Sequence, residues 1–406
     1  MTFSAGENIQ LGEQARDALL GARFDSTAQP FFAQVHARLR EAFAAEGPRS
    51  GAVDHAVDTL MARRELTTAE AKAAFEDIIV GDLADDQIGA LLMVLRPDML
   101  PAATLAAFAS VVQAKAKHVE MLGAAGGESL GDTCGTGSDT FGTFNVSTTI
   151  MFVLAADGIK IAKHGNRAVT SKCGSADVLS ELGVKISLTP AGVSRCIREV
   201  GIGFMFAPAF HDAFSNVQRI RRILAQEMPR EIQSRTVFNV LGPLSNPARA
   251  QWQILGVYDK SLVMKFGEAL RLLKVKRALV PFGYGDGERG LDEFSTAGKT
   301  VYAELNDDSV EEKSIEPEDV GLARASTADL AGGDIKDNAR ILKEILSGKG
   351  AAPQIDLVLL NAGAGLYLGG KADSIREGVA RARDVIRRGA ALKKLEELCE
   401  ASNSVE

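Results

Sequence analysis

Aromatic side chains are scarce in this 406-residue sequence, which has one Trp and four Tyr. That excludes the aromatic-lined grooves that grip single-stranded nucleic acid or long sugar polymers. Basic residues are not in excess either. A net charge of −7 argues against a general nucleic-acid binder, whose footprint is a basic face, while leaving room for a local basic pocket around a small phosphorylated ligand. Cysteine is rare and dispersed: Cys134, Cys173, Cys196 and Cys399 form no CxxC or Cys/His metal spacing, and in so long a chain they read as reduced thiols. No run reaches the roughly 20 apolar residues of a membrane span. The opening stretch, MTFSAGENIQLGEQARDALLGARF, lacks the basic start and apolar centre of a secretory signal. A cytoplasmic protein with no membrane and no nucleic-acid partner is the expectation.

Glycine, by contrast, is abundant, with 40 residues, as suits a fold with many tight strand-to-helix turns. Residues 1–50 read as helical pieces ending in the linker-like EGPRSG. From Val53 to about His118 the pattern is helical throughout. LTTAEAKAAFEDIIVGD has Thr67 or Thr68 as N-cap and Gly81 as its stop, ADDQIGALLMVLRP repeats the device, and LPAATLAAFASVVQAKAKHV follows. After GAAGGE the rhythm changes. SLGDTC, IKIAK, WQILGVY, RALVPFG and IDLVLLNAG read as short buried strands, and STTIMFVLAADG and TPAGVSRCIREVG as helices, the second capped by Thr189, opened by Pro190 and closed by Gly201. Strands alternating with helices predict an α/β fold: a small all-helical domain plus a larger α/β domain whose central, mainly parallel sheet is flanked by helices. The expected boundaries are an N-terminal extension over 1–50, a helical domain over 51–122 joined by about 206–234, and the α/β domain over 123–205 and 235–406. Ligands of such a sheet bind at the carboxyl ends of its strands.

Four segments carry residue types suited to phosphate chemistry. GDTCGTGSDTFGTFNVSTT, residues 131–149, places glycines and hydroxyls just before a helix amino terminus, where backbone N–H groups favour an anion. It is neither a Walker loop nor a dinucleotide fingerprint, and alone it reads first as a turn with Asn145 or Ser147 as helix cap. KHGNR, Lys163–Arg167, is read as a basic loop in which Lys163 acts as a point charge on phosphate. GYGDGERGLDEFS, residues 283–295, offers the adjacent carboxylates Asp292 and Glu293, a donor type that Mg²⁺ accepts together with water and substrate phosphate. FHDAFSNVQRIRRI crowds Arg219, Arg221 and Arg222 on one segment, and NVLGPLSNP mixes apolar residues with turn formers, as in a rigid loop buried against something. Each alone reads first as surface or turn, ahead of a binding site.

As an ordered set, GTGSDTFGTFNVST, KHGNRAVTSKCGSAD, RTVFNVLGPLSNP and GLDEFS resemble the anthranilate phosphoribosyltransferases, over roughly residues 53–390. The related pyrimidine nucleoside phosphorylases carry a similar first loop with a serine-containing variant of KHGNR, so Asn166 points to the transferases; a non-catalytic, nucleic-acid-binding relative would lack Asn166 and Arg221. The resemblance implies a homodimer formed through the helical domain, an active site between the domains, and transfer of a phosphoribosyl group from 5-phosphoribosyl 1-diphosphate to anthranilate in tryptophan biosynthesis. It implies Mg²⁺, two ions per subunit, and no covalent catalytic residue. By motif match Gly135, Ser138, Asp139, Thr143, Asn145, Val146, Ser147 and Thr148 would cradle diphosphate and ribose, with Lys163, His164, Gly165, Asn166, Arg167, Ser171 and Ser175 completing that site. Ser147, Asp292 and Glu293 would hold metal. Gly135, Asn166 and Arg221 would place anthranilate, Arg221 on its carboxylate, while His164 and Pro243 wall its ring. Three features depart from the family: Ser138 replaces a usual glycine, HDAF (211–214) replaces His-Pro-Ala-Met, and about eight residues are inserted near 223–231.

Overall fold

The computed structural model describes residues 50–62, 64–80, 83, 88, 95, 97, 100–120, 129–137, 141–168, 172–212, 217, 236–286 and 290–405. Residues 1–49 and the insertion at 223–231 therefore lie outside it, as does most of ADDQIGALLMVLRP. The chain divides into two compact units, one of residues 1–115 with 212–241, the other of residues 116–211 with 242–406.

The first unit contains α1 (Gly51–Met61), α2 (Thr68–Val80) and α3 (Ala102–Lys115). Their starts are written in the sequence. Ser50 caps α1 by accepting from Val53 N at 3.1 Å. Thr67 and Glu70 cap α2 reciprocally: Glu70 N donates to Thr67 Oγ1 at 3.2 Å and Thr67 N donates to Glu70 Oε2 at 2.8 Å. Phe75, Phe108 and Phe238 stack in the core of this unit, with centroid separations of 4.4 Å and 5.5 Å from Phe75.

The second unit is built on one sheet. Its elements run β1 (Leu130–Gly135), α4 (Val146–Ala156), β2 (Lys160–Gly165), α5 (Ser175–Glu181), α6 (Pro190–Val200), β3 (Ile202–Phe206), α7 (Val237–Leu244, which begins in the first unit), β4 (Trp252–Gly256), α8 (Leu262–Leu272), β5 (Arg277–Tyr284), β6 (Gly290–Leu291), β7 (Thr300–Asn306), β8 (Ser309–Ile315), α9 (Ile335–Leu346), α10 (Ala352–Leu368), α11 (Ile375–Arg387) and α12 (Ala390–Asn403). The strand order is β3-β2-β1-β4-β5-β7-β8, with β6 on β5. The first five are parallel, and β5–β7–β8 is an antiparallel edge. The sheet is thus mainly parallel and flanked by helices, as expected. The predicted cap on α6 is present: Thr189 accepts from Gly192 N, Pro190 opens the helix, and Gly201 ends it with φ 90°.

Three local readings change. IDLVLLNAG is not a strand but the middle of α10, where Leu357, Val358, Leu359 and Leu360 are all fully buried. A segment buried all round has no polar face, so periodicity cannot separate strand from helix. NVLGPL is likewise not a loop: it is most of α7, with Pro243 in its last turn. Lys163, His164 and Gly165 belong to β2 and are not on a basic surface loop; Lys163 is 1% exposed.

Candidate active site

Strands β1, β2 and β4 each end in glycine, Gly135, Gly165 and Gly256, and the candidate residues gather beyond them. Thr136 N donates to Gly256 O at 2.9 Å, so the glycine-rich loop leaves the sheet against β4. Gly137 takes φ +69°, a conformation that glycine adopts without strain. Its N–H donates to Asp292 Oδ2 at 2.7 Å. At the other end of the loop, Ser147 N, in the first turn of α4, donates to Glu293 Oε1 at 3.2 Å. The two adjacent carboxylates therefore clasp both ends of the loop. Gly135 is required here, because a Cβ on it would lie 2.3 Å from Asp292 Oδ2.

Asn145 occupies the N-cap position of α4 without a side-chain cap bond. Its amide instead donates to Cys173 O at 3.3 Å, tying the first loop to the segment that follows KHGNR. Thr148 is 1% exposed, and its Oγ1 has no partner among the described residues. Thr143 bridges to Ala331, and Gly332 N donates to Gly142 O at 2.9 Å, so the end of the loop is held from the α9 side. Val146 is buried at the first position of α4.

The second segment is closed by Asp177, which accepts from Ala168 N at 2.8 Å and Gly174 N at 3.0 Å and pairs with Arg167 at 2.8 Å. Gly165 leaves room for Ser175, whose Oγ would lie 2.2 Å from any Cβ there. Asn166 O accepts from Ala176 N at 3.1 Å and Asn166 Oδ1 from Arg167 N at 2.8 Å. Lys163 does not reach outward: its ammonium donates to Thr133 O and, at 3.2 Å, to Ser147 Oγ.

His164 Nδ1 donates to Gly242 O at 3.1 Å, which sets the neutral tautomer and brings the ring beside the Pro243 turn. Its ring meets that of His211 edge-on, with centroids 4.9 Å apart. Burial pushes His164 down to about 4, the Gly242 carbonyl opposing and the Lys163 charge assisting. Burial likewise pushes His211 down to about 3, with His164 and His118 adding to the shift. The unfolded chain protonates these imidazoles near ~6.5, so below that value it binds more protons than the folded chain. Stability is therefore intact above pH ~6.5 and falls as pH drops towards ~4, by up to about 1.4 kcal/mol per pH unit per histidine. Urea midpoints measured between pH ~7.5 and ~5, above most carboxylate titrations, should decline, and His164→Asn should flatten the decline. A flat profile for the parent protein would contradict the buried neutral pair.

Two residues absent from the motif reading complete the site from behind. Asp132, fully buried in β1, accepts from Gln253 Nε2 at 3.0 Å, and the same amide donates to Pro243 O at 2.7 Å. Burial raises the Asp132 carboxyl, partly offset by Lys163 and by hydrogen bonds. A carboxylate inside the buried strand LGDTC was the available signal, because a buried charge needs a partner. Ser138, Asp139, Ser171 and Arg221 lie outside the described residues.

Asp292 and Glu293, 8% and 6% exposed, with the Ser147 hydroxyl close by, form a set of hard oxygen donors. Both already accept backbone N–H bonds, and their oxygen-donor chemistry is of the type that fits Mg²⁺.

Residues 127–392 match the family described as "Glycosyl transferase family, a/b domain", and residues 55–116 match "Glycosyl transferase family, helical bundle domain". An anthranilate phosphoribosyltransferase from Chloroflexus aurantiacus is 44% identical over 351 residues, 86% of this chain and 98% of that protein. The crystal structure of the Thermus thermophilus anthranilate phosphoribosyltransferase superposes with a TM-score of 0.76 at 35% identity, covering 86% of this chain and 99% of that one. The Saccharomyces cerevisiae enzyme, in complex with PRPP and Mg, superposes with a TM-score of 0.76 at 29% identity over 88% of this chain and 99% of its own. A further structure of the yeast enzyme is in complex with 4-fluoroanthranilate.

Proposed function

The chain belongs to the anthranilate phosphoribosyltransferase family, and from that premise we infer that it transfers the phosphoribosyl group of 5-phosphoribosyl 1-diphosphate to the amine of anthranilate, releasing pyrophosphate, in tryptophan biosynthesis. The observation that carries this reading is the carboxylate pair Asp292–Glu293 clasping both ends of the glycine-rich loop at the carboxyl edge of the sheet.

Displacement at an anomeric carbon needs little covalent help. It needs the leaving diphosphate stabilised and the weakly basic aniline nitrogen held in line. Gly135, Ser138, Asp139 and Thr143, with Asn145–Thr148 at the start of α4, cradle diphosphate and ribose; the helix terminus and the loop N–H groups favour the anion. His164–Arg167, Ser171 and Ser175 complete that cradle, and Lys163 stands behind it, its ammonium on the Ser147 hydroxyl. Asp292, Glu293 and Ser147 would hold Mg²⁺, whose charge would supply stabilisation for the leaving diphosphate. Asn166 and Arg221 orient anthranilate, and His164 and Pro243 wall its ring. His164 Nε2, an acceptor without a partner among the described residues, is available to the incoming amine. A second Mg²⁺ per subunit and a homodimer belong to the same reading and rest on the resemblance alone, while a cytoplasmic location rests on the dispersed cysteines, read as reduced thiols.

Pure protein given Mg²⁺, phosphoribosyl diphosphate and anthranilate should consume anthranilate fluorescence and release pyrophosphate in equal amounts. Undiminished fluorescence over hours at micromolar enzyme would overturn the assignment.

A further inference from the structure

The carboxylate pair lies in irregular chain between β6 and β7, yet it is held from several sides. Glycines floor it: a Cβ on Gly256 would stand 1.5 Å from Asp292 O, and one on Gly283 would stand 2.5 Å from Glu293 O. Past the pair, Ser295 N donates to Thr300 Oγ1 at 2.9 Å, and Ser295 Oγ donates to Tyr284 O at 2.7 Å. Between these anchors comes Phe294, whose main chain joins no strand. Both of its polar groups are met by one side chain, Asn361 from the middle of α10. Phe294 N donates to Asn361 Oδ1 at 3.0 Å, and Asn361 Nδ2 donates to Phe294 O at 2.8 Å and to Leu357 O at 2.9 Å.

Asn361 is fully buried in a helix whose neighbours Leu357–Leu360, Ala362 and Ala364 are apolar and equally buried. A polar side chain at such a position is unfavourable unless all its donors and acceptors are used. Here its carbonyl and both of its amide hydrogens are. The amide pairs with one residue's N–H and C=O together, as a neighbouring strand would, where no strand is available. α10 itself packs against α4, which begins with Val146 and Ser147, and against α11.

We propose that Asn361 is the positioning residue of the metal site, a side-chain splint that fixes the Phe294 main chain and thereby sets Asp292 and Glu293 in their binding geometry before any ligand arrives. The proposal rests on reading that pair as the Mg²⁺ site. Residues that orient metal ligands from behind typically change affinity by about 10- to 100-fold when lost.

Mn²⁺ serves as the probe, alone and with pyrophosphate, its free fraction read by electron paramagnetic resonance. Asn361→Leu, which suits the apolar helix, should weaken Mn²⁺ binding by about 10-fold or more and shift the Mg²⁺ dependence of turnover to higher concentration, with the anthranilate KM within about twofold of the parent. Asn361→Leu with parental Mn²⁺ affinity, or with equal losses towards metal and anthranilate, would overturn the proposal. Should that variant fail to fold, hydrogen exchange of the unaltered, metal-free protein decides instead. The peptide carrying Phe294 should exchange as slowly as β5, and exchange at loop rates would overturn the proposal. Asp292→Asn separates the two levels: it should lose Mn²⁺ affinity while Phe294 stays protected. A parent protein that binds no Mn²⁺ even with pyrophosphate would remove the metal assignment and this inference together; binding by the parent and by Asn361→Leu alike would remove only the inference.

Discussion

Gly256→Ala is expected to lower kcat/KM for phosphoribosyl diphosphate by about 100-fold or more. The cause is a single methyl group. Gly256 ends β4 opposite Gly135, and its missing Cβ leaves the space through which the Asp292 main chain passes. An added Cβ would lie 1.5 Å from Asp292 O and 2.3 Å from Asp292 C. Because both obstructing atoms are backbone, no rotamer change relieves the clash. The 292–295 segment must lift by an ångström or more, breaking the 2.7 Å hydrogen bond from Gly137 N and moving the carboxylate off the loop. A 1 Å misplacement of a positioning group is enough for a loss of this size. Gly51→Ala is the comparison: it lies at the first position of α1 with nothing within 4 Å of its Cβ, so turnover should be parental. Parental turnover in both variants would show that Asp292 does not need its observed place.

The contrast between these glycines shows which parts of the fold were legible in the sequence. Gly131–Ala156 could be read as strand, loop and helix because small residues interrupt two apolar runs of different length. Thr189, Pro190 and Gly201 marked their helix at both ends, since capping chemistry is local. α10 could not be typed from its apolar run. Its 17-residue length and Pro353 in the first turn were the usable cues, because an interior strand is shorter and excludes proline. The hairpin β7–β8 turns at Asp307, with φ 50°, and its NDDS turn was a local signal that the alternating strand–helix rhythm overshadowed. At the site, the motif residues were legible because phosphate chemistry demands glycines, hydroxyls and paired acids. Asp132, Gln253 and Asn361 were not. Asp132 and Gln253 meet across 121 residues of sequence, and Asn361 meets Phe294 across 67, and residue type alone names no such partner.

The same dependence on distant partners makes Lys163 the second large test. Its ammonium is buried, bound to Thr133 O and Ser147 Oγ. Burial pulls its titration down, while Asp132, Cys134 and Glu293 oppose that shift by favouring the cation. Lys163→Met keeps the length and apolar stem but leaves Asp132 without its nearby positive charge. Breaking such an arrangement from one side costs about 3–5 kcal/mol, so the urea midpoint of Lys163→Met should fall by the equivalent of that loss at neutral pH. The sign with pH follows from Asp132, whose folded carboxyl already titrates above its ordinary value because it is buried. Without Lys163 it rises further. A group with a raised folded pKa supports the fold while protonated and loses that support as pH climbs through the raised value. The deficit of Lys163→Met should therefore widen from acid towards neutral pH. Adding Asp132→Asn removes the stranded charge and should restore part of the lost stability, a coupling of about 1 kcal/mol or more between contiguous groups. Strict additivity of the two substitutions would mean that Lys163 is held by its hydrogen bonds alone. Coupling would instead show that one buried cation both steadies the strand pair β1–β2 and keeps the Ser147 hydroxyl beside the carboxylates.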